Sequence, residues 1–479
     1  MMTREFSIET RAILFVIFAS VFRLIYVSGL NLMPDEAYYF LWSKHLAFSY
    51  FDHPPMLAYL FALFNLITDN QEFVVRLVTT LLMAFTSVYA FLLAKELFDR
   101  RTALYYILFL NITPLFMGSS IIATPDMPMI FFLTGASYYF YLAVKRGDVR
   151  FWLLTGIFVG LSLLSKYTAV LIYPSFLLYL LLEENRKWLK KKILYISFLI
   201  SSIIFLPVIL WNYAHNWVSF GFQLSHGLGG NFPNWKRFGE FIGGQAGIVS
   251  PILFVLFLTS ILYLLVRWRR ASLQDKFLFS LASVPFFFFL ASSLQKKVEA
   301  NWPAFAYLPG ILLVISYYQQ RLAHKKWGRI LWNTNWILTG LILSIVLIHI
   351  YIPFLGIKKD RTDEFFGWDS LGNEVLELQK ENPTFLLAAN RHQIAGEIEF
   401  YAGKRIACFN LDSRPNQYDL WQDKTSFKEK NFLFFDKQEY PAQAIANTFK
   451  KLEFLKAIPL KRKDKTTGQI FVYRAYNYN

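Results

Sequence analysis

The sequence predicts an α-helical polytopic membrane protein with about eleven transmembrane helices and a small C-terminal α/β soluble domain. Three observations carry this. The 479 residues are 55% hydrophobic and only 17% charged, where a soluble domain carries roughly a quarter charged residues. Apolar segments of about spanning length recur along the first three quarters of the chain. The basic excess is concentrated there too: residues 357–479 hold 20 Lys and Arg against 17 Asp and Glu, and residues 1–356 hold the remaining 29 against 16. Those cations sit in short clusters between apolar runs, a pattern of membrane topology rather than of nucleic-acid binding.

The apolar segments place spans at 11–30, 73–94, 102–119, 128–145, 151–165, 167–182, 193–211, 250–266, 277–294, 303–319 and 330–352. The first contains Arg23 and runs into Pro34-Asp35 with no small-residue cleavage site, so it reads as a retained helix rather than a signal peptide. With the N-terminus in the cytoplasm, alternate loops carry the clusters Lys95-Arg100-Arg101, Lys145-Arg146-Arg150, Arg186 to Lys192, Arg267-Arg269-Arg270 and Arg321 to Arg329. The positive-inside rule then holds at every turn. An odd number of spans places the tail outside, giving a membrane domain at 1–355 and an extracytoplasmic α/β domain at 356–479 of a multi-pass cell (inner) membrane protein.

The outer loop 31–72 is too long for a simple connection, and its stretches 36–48 and 55–67 are amphipathic, as expected of helices lying along the membrane surface. In the tail, 385–389 and 432–435 read as buried strands, 369–380 and 441–451 as helices, and 457–475 as a hairpin turning near Thr467-Gly468. The single cysteine, Cys408, excludes an intramolecular disulfide and any multi-cysteine metal site. No Walker loop or dinucleotide fingerprint is present, which argues against nucleotide-driven chemistry.

Residues suited to chemistry gather in the outer loops. Met33-Pro34-Asp35-Glu36 follows the first span, Phe51-Asp52-His53-Pro54-Pro55 lies in the same loop, and Thr124-Pro125-Asp126 opens a later span. Asp35 and Asp52 could equally be helix caps, with Glu36 favouring the positive end of a helix dipole. Three acidic sites at one face are also what an active site needs. Arg23, Arg76 and Lys166 lie within or beside outer halves of spans, where charges are costly and often functional, unless they snorkel to the interface. With His53, His226, Lys296 and Lys297 they would form a cationic lining suited to phosphate. His226 belongs to a glycine-rich loop and is, alone, as consistent with an ordinary loop residue.

The motifs Pro34-Asp35-Glu36-Ala37-Tyr38-Tyr39, Tyr50-Phe51-Asp52-His53-Pro54-Pro55, Thr124-Pro125-Asp126, Leu164-Ser165-Lys166-Tyr167 and Glu299-Ala300-Asn301-Trp302-Pro303 resemble the GT-C membrane glycosyltransferases over about residues 1–355. More narrowly they look like the bacterial protein mannosyltransferase and aminoarabinose (lipid A) transferase branch. The resemblance implies a polyprenyl-phosphate sugar donor, inverting transfer at the outer face, and a lipid A or core-saccharide, other glycan or protein acceptor. It implies catalytic carboxylates at Asp35, Glu36 and Asp52, with Asp35 as base. It places donor phosphate and sugar contacts at His53, Arg76, Asp126, Lys166, His226, Lys296, Lys297 and Asn301. In the aminoarabinose transferases a Glu-Lys pair implicated in metal and phosphate binding stands where Asp52-His53 stands here, which leaves a divalent metal open through Asp52 and His226. A polytopic lipid or sugar transporter or flippase, and a glycan ligase or polymerase, are the competing functions. The absence of evident inverted repeats counts against transport.

Overall fold

The computed structural model describes residues 6–479 apart from 228, 229, 231, 440 and 442. Its helices are α1 (Ile8–Val27), α2 (Pro34–Trp42), α3 (Met56–Asn65), α4 (Gln71–Leu97), α5 (Arg100–Ile112), α6 (Pro114–Ile121), α7 (Asp126–Arg146), α8 (Val149–Leu163), α9 (Ile172–Leu180), α10 (Lys192–Ala214), α11 (Val218–Gly227), α12 (Trp235–Val249), α13 (Pro251–Arg267), α14 (Leu273–Ser293), α15 (Ala304–Tyr317), α16 (Lys326–Tyr351), α17 (Trp368–Glu381), α18 (His392–Ala402), α19 (Gln417–Trp421) and α20 (Gln443–Ala446). The strands are β1 (Leu386–Ala389), β2 (Ala407–Cys408), β3 (Phe432–Asp436), β4 (Phe449–Arg462) and β5 (Lys465–Tyr478). Two compact units result: one of Met1–Tyr26, His53–Leu57 and Arg76–Tyr351, the other of Val27–Asp52, Ala58–Val75 and Ile352–Asn479.

Each of the eleven predicted spans falls on helix. Among the described residues α1, α4, α7, α10, α13, α14 and α16 are long and apolar enough to cross a bilayer, and α5 with α6 makes an eighth if their 66° bend is one broken span. At α8, α9 and α15 length alone does not carry a crossing. Local chemistry sets many boundaries. The Asp99 carboxylate caps α5 by accepting from the Arg101 and Thr102 N–H groups. Gly147, at φ 73°, ends α7 in the left-handed conformation. Inside the bundle, many serine and threonine hydroxyls return to carbonyls one turn back, as Thr86 does to Leu82 at 2.7 Å, which satisfies those hydroxyls. Arg23 is buried, donating to Ser120 Oγ at 2.6 Å and Asn111 Oδ1 at 2.7 Å, so it does not snorkel.

Helices α8 and α10 meet through a small residue. A Cβ on Gly156 would lie 2.4 Å from the Ser197 carbonyl oxygen, which is backbone and has no rotamer by which to move aside. Gly156→Leu should therefore force the helices apart and cost about 1–3 kcal/mol. Thermal melting in detergent checks this: an unchanged midpoint would contradict the close approach.

The second unit is built on a sheet of order β2-β1-β3-β5-β4. Strand β1 pairs parallel with β2 and β3, and β5 pairs antiparallel with β3 and β4. One face carries Phe409, Phe432, Phe434 and Phe449. The other packs Leu387, Leu433 and Phe435 against Trp368, Val375, Ile394 and Ile398 from α17 and α18, together with Tyr38, Leu41, Trp42 and Tyr50 from the first loop. Helix α18 lies on α2 closely enough that a Cβ on Gly396 would sit 3.1 Å from the Tyr38 nitrogen.

This packing corrects three sequence expectations. Helix α2 does not keep an exposed apolar face: Ala37, Tyr38, Phe40, Leu41 and Trp42 are all buried in the core of this unit. Leu63 on helix α3, and Leu66 and Ile67 just past its end, are exposed, which suits an apolar surrounding. In the tail, the helix expected at 441–451 ends at Ala446, because Phe449 onward pairs with β5. The hairpin is accordingly longer than expected, and turns between Arg462 and Lys465, with Lys463 at φ 54°.

Candidate active site

The second unit brings the first-loop carboxylates together. Met33, not Asp35, is the N-cap of α2. Its N–H donates to the Glu36 carboxylate at 2.8 Å, the reciprocal bond of a capping box. Glu36 is fully buried in this role. Asp35, one residue earlier, is exposed to solvent but crowded by protein. Its carboxyl is raised above the ordinary range, first by loss of water, then by the negative charges of Asp52 and Glu364, with Arg361 and Arg414 opposing.

Asp52 is 2% exposed. Helix α3 begins at Met56, so Pro55 rather than Asp52 holds the N-cap position. Asp52 Oδ1 accepts from Arg414 Nη1 at 2.5 Å and its Oδ2 from the Tyr38 hydroxyl at 2.7 Å. The Gln417 backbone N–H donates to the Tyr38 oxygen at 2.8 Å, and the Phe51 N–H donates to Gln417 Oε1 at 2.7 Å. Tyr38 also packs 4.7 Å from the His392 ring, whose pKa burial lowers to about 4. Arg414, Gln417 and His392 come from the tail, and sequence reasoning missed them. Arg414 lies in the irregular run Ser413-Arg414-Pro415-Asn416, which carries no periodicity to signal a role.

A metal at Asp52 does not fit this donor set. Both carboxylate oxygens are engaged, and the guanidinium on Oδ1 already neutralises the charge a cation would need. No three His, Cys, Asp or Glu side chains among the described residues are grouped to hold a metal ion. The His226 side chain, the other predicted ligand, lies outside the described residues. No step below depends on a metal.

The first unit holds a separate polar cluster. Asp126, in the first turn of α7, accepts from Lys166 Nζ at 2.7 Å and Asn301 Nδ2 at 2.9 Å. Asp126 and Lys166 are both buried, and Lys166 also lies 6.0 Å from the Trp302 ring centroid. Lys166 occupies the break between α8 and the turn at 167–171, where the chain leaves helix. Three sequence-predicted residues thus meet, but as an ion pair with an amide rather than as open cations. Arg76 is buried and donates to the Ile121 carbonyl at 2.7 Å. Lys296 donates to the Ser225 carbonyl, and Lys297 pairs with Glu299 at 2.7 Å on the surface. His53 is half-buried in the first unit, next in the chain to Asp52.

Comparison with known proteins agrees with this fold. The dolichyl-phosphate-mannose-protein mannosyltransferase family matches residues 52–211. A lipid A galacturonosyltransferase, RgtD, of Rhizobium johnstonii is 26% identical over 312 residues, covering 62% of this chain. The match spans 61% of that relative's own length. Crystal structures of ArnT from Cupriavidus metallidurans superpose along nearly the whole chain. The apo form gives a TM-score of 0.65 at 13% identity, covering 98% of both chains. The form bound to undecaprenyl phosphate gives 0.63 at 14% identity, covering 96% of this chain and 97% of that one. The resemblance to the GT-C membrane glycosyltransferases therefore holds in sequence and in fold, and the chain is a multi-pass membrane protein of that architecture.

Proposed function

We propose that this GT-C-fold chain is a glycosyltransferase that moves a sugar from a polyprenyl-phosphate donor to lipid A at the outer face of the membrane. The observation that carries the reading is Asp35: a solvent-reachable carboxylate, raised by its surroundings, on the loop after the first span. Lipid A as acceptor is supported by the activity named for the Rhizobium relative, and the lipid-phosphate donor by the undecaprenyl phosphate held in the related fold.

In the proposed step the acceptor hydroxyl attacks the anomeric carbon, and its proton passes to Asp35. The new C–O bond forms as the anomeric C–O bond to phosphate breaks, with inversion, and the electron pair leaves with the polyprenyl phosphate. A raised carboxylate is a stronger base than an ordinary one, which favours the transfer. The leaving phosphate needs cations rather than an acid.

Asp35 must be ionised to act. Its raised pKa predicts that kcat/KM falls on the acid side at a higher pH than an ordinary aspartate would give. A pH–rate profile that stays flat down to the ordinary aspartate range would contradict the assignment. For orientation, we propose a cytoplasmic N-terminus and an extracytoplasmic tail, as the loop charges favour. Alkaline phosphatase fused after Asn479 should be active, and fused after Arg270 nearly inactive. The opposite pattern would overturn the orientation.

A further inference from the structure

The second unit contains an ion pair that the proposed chemistry does not use. Arg414 reaches from the tail to Asp52, Asp52 holds the Tyr38 hydroxyl, and Gln417 holds both Tyr38 and the Phe51 backbone. Tyr38 lies three residues after Asp35 on α2, so the two share one helix face. The run 414–418 therefore grips both the helix that carries Asp35 and the loop that carries Asp52, and Tyr418 adds a ring stacked 6.0 Å from Tyr38.

We propose that the 414–418 segment is a positioning part of the transfer site, in which the Arg414–Asp52 pair fixes α2 through Tyr38 and so aims Asp35 at the acceptor hydroxyl. This rests on the reading of Asp35 as the base. Under it Asp52 is an anchor, not a reacting group, and the sheet domain is a working part of the site. Asp52 also acts on Asp35 through space. Asp35 is faced by Asp52, Glu364, Arg361 and Arg414, and of these Asp52 raises its pKa most. His392, whose ring packs on Tyr38, is faced in turn by Asp52, Arg414, Asp419 and Arg391. On α2 itself are Glu36, held by Met33, and Tyr39.

A double-mutant cycle separates an anchor from a reacting group. Removing Arg414 leaves the buried Asp52 carboxylate without its cation, whereas removing both restores neutrality. Membranes from gene-deleted cells, complemented with each full-length variant, carry their own donor and acceptor. The glycosyl mass added to lipid A is followed over time at several pH values, at matched protein levels. Arg414→Met and Asp52→Asn should each lower the rate about 100-fold, the scale of a misplaced reacting group. Arg414→Lys, which keeps the charge, should retain far more activity than Arg414→Met. The double variant Asp52→Asn/Arg414→Met should recover to within about tenfold of wild type. Its acid limb should move to lower pH, because the larger influence on Asp35 has gone.

A double variant as inactive as Asp52→Asn at equal protein level would make Asp52 a reacting group and overturn the proposal. So would Arg414→Lys matching Arg414→Met, or an unmoved acid limb. Asp35→Asn in the same membranes tests the underlying reading separately: full activity there removes the base itself, whatever the cycle gives.

Discussion

Asp35→Asn is expected to leave a folded, well-expressed protein that transfers sugar about 10²–10⁴-fold more slowly, the usual cost of losing a general base. The substitution keeps the size of the side chain and removes only its basicity. Folding should be unaffected, because the cap of α2 is made by Glu36 and the Met33 N–H rather than by Asp35. Glu36→Gln is therefore the informative companion. It should lower stability by about 1 kcal/mol as a weakened cap, while the transfer rate of the folded fraction changes little. The two residues are adjacent in sequence, yet their expected signatures are opposite. An Asp35→Asn variant with near wild-type turnover would place the base elsewhere.

Lys166→Met should have the largest effect on stability. It would strand the Asp126 carboxylate, buried and without the cation that pairs with it at 2.7 Å. Breaking a buried pair from one side typically costs about 3–5 kcal/mol, and replacing both partners costs much less. Thermal melting in detergent should show Lys166→Met far below wild type, with Asp126→Asn/Lys166→Met restored most of the way. If Lys166 instead serves the donor phosphate, Lys166→Met would melt normally and bind polyprenyl phosphate weakly. That outcome would return Lys166 to the role the sequence first gave it.

The multi-pass membrane character was legible because hydrophobic length reports on the bilayer directly, without tertiary detail. The same signal placed Lys166 at a break between two apolar runs, where the chain does leave helix. The site was legible only as residue types. Asp35, Asp52, Asp126 and Lys166 are all where chemistry could use them, but partners chosen by tertiary packing decide what each does. Asp126 reads in sequence as one of three acidic sites in the outer loops and is in fact tied to Lys166 and Asn301. Asp52 reads as a catalytic or metal-binding carboxylate and is held by an arginine 362 positions away. Helix α18 escaped notice because Gly396 and its β-branched isoleucines argue locally against helix. That glycine is explained by the approach of α2, which no local pattern reveals.

The most direct test of the account is the mass of lipid A from cells lacking the gene, complemented with wild-type protein or with Asp35→Asn. We predict a glycosyl mass increment on lipid A with the wild type that is absent in the deletion and nearly absent with Asp35→Asn at equal protein level. An identical lipid A profile in all three, or an increment that persists with Asp35→Asn, would contradict it.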